Sequence, residues 1–194
     1  MAQEITQMDL KNFFLTILAI LFTPRRFWQE YSFRTPESGE NLQKDYALPV
    51  IAMVQLMKFP IIGTPRLAMF NALATVVLDI AALYLITGVM LRLLERERIV
   101  LPETAATALA AFSLTPIWLV EPFYFLGGFS WLIAAVATGW AIRILGEGMR
   151  FLFERHPLSA NPPQRNAALL IAVVSAAIFL VQRSFHRLID TIPV

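Results

Sequence analysis

The sequence predicts an all-α fold, an integral membrane bundle of five transmembrane helices preceded by an N-terminal interfacial amphipathic segment. Two observations carry this. Hydrophobic residues make up 57% of the chain and charged residues only 15%, against about 25% charged in soluble domains. Five long apolar runs lie between residues 46 and 182, separated by short charged loops. Each approaches the roughly 17–25 helical residues that cross a hydrocarbon core about 30 Å thick. The organisation expected is a cytoplasmic segment over 1–45, a transmembrane domain over 46–182 and a short extracytoplasmic tail over 183–194.

The first apolar stretch is too short to be a sixth span. Asp9 is a suitable helix cap, but only the ten residues Phe13–Phe22 are continuously uncharged and mostly apolar, and runs of about 10–14 residues more often lie in the interface or re-enter. That stretch ends in Thr23-Pro24-Arg25-Arg26 rather than a small-residue cleavage site, so no cleavable leader is expected. Thr23-Pro24 reads as a cap followed by proline in a first turn. Arg25, Arg26, Phe27, Trp28 and Tyr31 then mix basic and aromatic groups suited to the headgroup layer. Residues 9–31 therefore read as two short interfacial helices broken near Pro24, and 32–45 as a polar linker.

The spans follow in order. Span 1 covers about 46–63, with Pro60 and Thr64-Pro65 marking a tight exit. Span 2, about 67–93, is long enough to tilt and ends at Arg92 and the run Glu95-Arg96-Glu97-Arg98. Pro102-Glu103-Thr104 is a helix start for span 3, about 103–122. Gly127-Gly128 turns into span 4, about 129–146, and a proline-containing loop leads to span 5, about 166–182.

Orientation comes from the basic residues. Twelve of them fall on one side: Lys11, Arg25, Arg26, Arg34, Lys44, Arg92, Arg96, Arg98, Arg143, Arg150, Arg155 and Arg165. The other side receives four: Lys58, Arg66, Arg183 and Arg187. This bias places the N-terminus in the cytoplasm and the C-terminus outside, in a multi-pass protein of a bacterial cytoplasmic (inner) membrane.

Polar residues within the spans are the candidate sites. Asp79 lies near the middle of span 2, where a carboxylate costs about 2.5–3.5 kcal/mol on insertion scales, so it must face protein or water or carry a proton. Asn71, Thr75 and Asp79 follow at four-residue spacing and share one helical face. One reading is a proton or ion path or a polar ligand groove. The default is interhelical hydrogen bonding, because a transport path ordinarily recruits more than one ionisable group. Lys58 and Glu121, near the outer ends of their spans, permit an ion pair if spans 1 and 3 touch; otherwise each snorkels to the interface. Pro116 frees a carbonyl one turn back and predicts a kink, with Ser113 and Thr115 at hand to compensate. Gly139, Gly146 and Gly148 permit close helix approach.

Other chemistry is not indicated. The chain has no cysteine, which excludes disulfides, thiolate metal sites and iron–sulfur clusters. His156 and His186 lie in or beside loops, so buried axial ligation is not expected. No nucleophile elbow, zincin motif or phosphate-binding glycine loop occurs, and Asp79 is the only aspartate inside a span. No cofactor, metal site or enzymatic activity is expected, and a net charge of +2 gives no cause to expect a nucleic-acid partner.

A pattern runs through these features: a short N-terminal segment, a proline followed by aromatics (Pro24, Phe27, Trp28), five spans, Ser113-x-x-Pro116 in the third, and Gly146 and Gly148 closing the fourth. In this the chain resembles the bacterial branch of the YIP family, the Ypt/Rab-interacting membrane proteins, from about residue 9 to 182. The resemblance implies a five-helix bundle with a cytoplasmic N-terminus. Eukaryotic members bind small GTPases and shape membranes, but their acidic-Leu-Tyr-Gly-Pro motif is not present here, so GTPase binding is not carried over.

The function expected is that of a non-enzymatic scaffold or interaction partner in the membrane. Arg25, Arg26, Arg150, Arg155 and Arg165 are candidate contacts for anionic lipid headgroups, each worth about 1 kcal/mol near the surface, or simply the ordinary positive-inside bias. Its expected partners are membrane lipids and either other proteins or further copies of itself. The alternatives are a small transporter or channel built on Asn71, Thr75 and Asp79, and an accessory subunit of a larger membrane complex.

Overall fold

The computed structural model describes residues 10–31, 42–62, 64–96, 101–125, 127–155 and 164–191. Among these residues the chain is all-helical, without strands. The described residues include five helices long and apolar enough to cross a membrane.

Two short helices come first, α1 (Leu10–Phe22) and α2 (Pro24–Glu30). Thr23 does not cap α2 with its side chain. Its hydroxyl and its N–H instead donate to the Ala19 carbonyl and close α1, while Pro24 starts α2, where a missing N–H goes unused. The aromatic residues do not lie free in a headgroup layer. Trp28 is 1% exposed and donates Nε1–H to the Ile144 carbonyl at 3.0 Å. Phe112 lies within 4.8–5.7 Å, ring centre to ring centre, of Phe27, Trp28, Tyr31 and Tyr46. Ile17 and Ile20 are buried as well, whereas Phe14, Leu15, Leu18 and Phe22 remain exposed. The segment is thus amphipathic, with its inner face docked on the bundle.

Helix α3 spans Gln43–Ile62 and opens with a π-helical turn, Gln43–Ala47. It takes Lys44 and Asp45, expected in the linker, into its first turn. The rest of that linker, 32–41, lies outside the described residues. Helix α4 (Pro65–Arg96) has 32 residues, about 48 Å at 1.5 Å per residue. Helix α5 (Glu103–Val120) is the axis of the molecule, with every residue from Ala105 to Trp118 buried. Its alanines at 105, 106, 108, 110 and 111 let neighbours approach from all sides. It runs unbroken through Pro116, and the Thr115 hydroxyl is shared between the Ala111 carbonyl and the Tyr46 phenol. An apolar groove of about 380 Å³ beside Pro116 is lined by Val120, Leu132, Val136 and Trp140.

Two 3₁₀ turns, Glu121–Phe125 and Gly127–Phe129, lead into α6 (Ser130–Arg155). Gly127 has φ +65°, the left-handed region that favours glycine. Helix α6 continues nine residues past the expected span, through what reads as loop. A helix needs its backbone ladder, not apolarity, and the charged residues Arg143, Glu147 and Arg150 leave that ladder intact. Helix α7 (Gln164–Thr191) likewise runs into the expected tail. Of the three glycines, only Gly148 sits in a close contact. A Cβ there would meet Leu109 Cδ2 at 2.6 Å and the Trp28 ring at 2.7 Å, whereas Gly139 and Gly146 face open space.

Candidate functional site

The stripe of α3 that turns inward is Ile51, Val54, Gln55 and Lys58, the i, i+3, i+4, i+7 pattern of one helical face. Its last turn places an amide and an ammonium in the interior. The inward stripe of α4 begins Ala68, Asn71, Thr75, Asp79 and brings a carboxyl to the same place. Helix α5 contributes Glu121, the residue at which its α-helical geometry gives way to the 3₁₀ turn.

Glu121 is the centre of the cluster. Its Oε2 accepts from Lys58 Nζ at 2.5 Å and from Gln55 Nε2 at 3.3 Å. Lys58 is 2% exposed, Glu121 0% and Asp79 0%. Asp79 lies against Glu121 and within the field of Lys58. Tyr124, edge-on to Phe179 at 5.0 Å, lies within the field of both carboxyls. Four oxygens here meet no donor among the described residues: Gln55 Oε1, both oxygens of Asp79 and Oε1 of Glu121.

The helix lengths explain how Asp79, mid-span by sequence, meets two residues read as lying near outer ends. From Asp79 to Arg96 is about 25 Å of helix, and from Glu103 to Glu121 about 27 Å. Counted from the charged end that α4 and α5 share, both carboxyls are at one level. The first part of α4 then extends about 20 Å beyond the cluster, with Met69, Phe70, Leu73 and Val77 exposed. Lys58 and Glu121 therefore do not snorkel; they are sealed.

Asn71 and Thr75 are buried one to two turns beyond Asp79, where the Thr75 hydroxyl donates to the Asn71 carbonyl at 2.7 Å. The Thr75 hydroxyl is thereby satisfied within its own helix. Gln55 and Tyr124 belong to the site although neither stands out in the sequence. The available signal for Gln55 is its i, i+3 spacing to Lys58 inside an apolar run.

The basic residues at the other end are arranged differently. Arg26 pairs with Glu30 at 2.7 Å and Arg150 with Glu154 at 3.5 Å, all four exposed. The hydrogen bond and charge of Glu30 hold the Arg26 guanidinium above its ordinary pKa. Arg25 and Arg150 share a small polar cleft with Gln29, Glu147 and Glu154 between α2 and α6. Arg165 is exposed, and the side chain of Arg155 lies outside the described residues. Compared with known proteins, the chain matches no family model, no curated protein and no solved structure.

Proposed function

We propose that this chain is a non-enzymatic integral membrane protein that works by association, as a scaffold or interaction partner in a bacterial cytoplasmic membrane. Its N-terminus is cytoplasmic and its C-terminus extracytoplasmic. The observation that supports this is the cleft of Arg25, Gln29, Glu147, Arg150 and Glu154, polar chemistry open to solvent on the basic side. Inside the bundle, by contrast, the charged groups are turned on one another. The YIP-like order of features supports the same reading. Copurification in mild detergent tests it. A stoichiometric protein or a second copy should accompany the parent and be lost on Arg25→Glu with Arg150→Glu. Recovery of the chain alone with lipid, or a companion indifferent to both changes, rejects association through this cleft. A companion retained with many other subunits would make it an accessory subunit held elsewhere.

A transporter is the second reading, favoured by the convergence of three ionisable groups where the sequence suggests one. Flux in proteoliposomes tests it, and equal flux for the parent and Asp79→Asn rejects a carboxylate-dependent path.

A further inference from the structure

The interior cluster has a surplus of acceptors. Two carboxyls, an amide and one ammonium gather here, and all lie at 5% exposure or less. Lys58 and the Gln55 amide both donate to the same oxygen, Glu121 Oε2. Asp79 Oδ1, Asp79 Oδ2 and Glu121 Oε1 have no donor among the described residues. Ionised carboxylates can only accept, so two of them facing each other have nothing to exchange. With both ionised, the cluster also holds two negative charges against one positive, and an unbalanced buried charge is strongly disfavoured.

One proton resolves both problems. It balances the charge and supplies the O–H that a carboxyl pair needs, as two acids sharing a site do elsewhere. We infer that Asp79 and Glu121 hold one exchangeable proton between them, making the Lys58–Glu121–Asp79 cluster a proton-binding site inside the bundle. The groups facing it are Lys58 from α3, and Glu121 and Tyr124 from the end of α5. On α7 the nearby described cation, Arg183, donates instead to Ser130 Oγ. A metal cation fits less well, since among the described residues no group of three acidic or histidine side chains gathers anywhere. The site rests on this geometry alone and stands or falls apart from the association reading.

Infrared spectroscopy of the protein in lipid nanodiscs at neutral pH tests it through the carbonyl stretch of protonated carboxyls. The parent should show one such band, shifted in deuterated buffer. Asp79→Asn, nearly isosteric with the protonated acid, should fold and lose the band entirely, because Glu121 then pairs alone with Lys58. Lys58→Met should double it, because both acids must then be neutral; should that variant fail to fold, the Asp79→Asn arm decides. Absence of the band in the parent overturns the inference, as does a band intact in Asp79→Asn. A band that appears only when sodium is replaced by choline also overturns it, in favour of a metal cation.

Discussion

At the scale of single residues, the Lys58–Glu121 pair is a liability that depends on completeness. A buried ion pair adds little over apolar packing, yet removing one partner forces the other either to stay buried uncompensated or to give up its charge by protonation, at about 3–5 kcal/mol. Lys58→Met should therefore lower the unfolding free energy in mixed micelles by about that much. Lys58→Met with Glu121→Leu should recover most of the loss, since an apolar pair of similar volume is often neutral or better. Additive losses in the double variant would show that the two side chains do not act as a pair. Both residues, and Asp79, stand out in the sequence because charge is rare in an apolar run. Their meeting was only half legible. Depth counted from the nearest loop sets Asp79 apart, and only the run of α4 on past the cluster, with Ala68, Asn71 and Thr75 still buried, a tertiary fact, brings the three level.

At the scale of elements, the contact of α2 with α6 turns on Gly148. The Trp28 ring beside it is fixed by its own hydrogen bond to Ile144, so a methyl group cannot be accommodated by swinging the ring away. Gly148→Ala should destabilise by about 1–3 kcal/mol, the usual cost of overpacking. Protease cleavage of the N-terminal segment should rise with it, and the cost should shrink in a Trp28→Ala background. An unchanged melting temperature and unchanged cleavage would mean that α2 can shift without loss. Helix starts were well marked in the sequence at Pro24 and Glu103, because proline and caps act locally. Helix ends were not. Loss of hydropathy at Arg143 and Glu147 suggests an end to span 4, but charge breaks no backbone hydrogen bond, and Met149 and Leu152 are still buried on the same face. The docking of Trp28 was illegible for a related reason: an aromatic beside arginines has the same composition whether it meets headgroups or a glycine on the next helix.

At the scale of the whole molecule, the five-helix architecture was the most legible feature, because it is an integral over many residues and tolerates errors in any one. Its direction across the membrane can be read without interference, since the chain contains no cysteine. An impermeant maleimide applied to spheroplasts should label Gly128→Cys, exposed in the 3₁₀ turn before α6, and not Glu154→Cys, exposed at its far end. The reverse pattern would invert the topology, and labelling at both sites would place α6 out of the membrane.

The cluster also constrains how such a chain is made. Its charged groups arrive in order along the sequence, lysine on α3, aspartate on α4, glutamate only after α5. Until the ribosome has passed residue 121, Lys58 and Asp79 can neutralise only each other, and the glutamate that arrives last adds the charge that the shared proton must balance. On the membrane reading proposed above, the first three long helices form one unit of biosynthesis, whose cluster takes up its proton only when the third is in place.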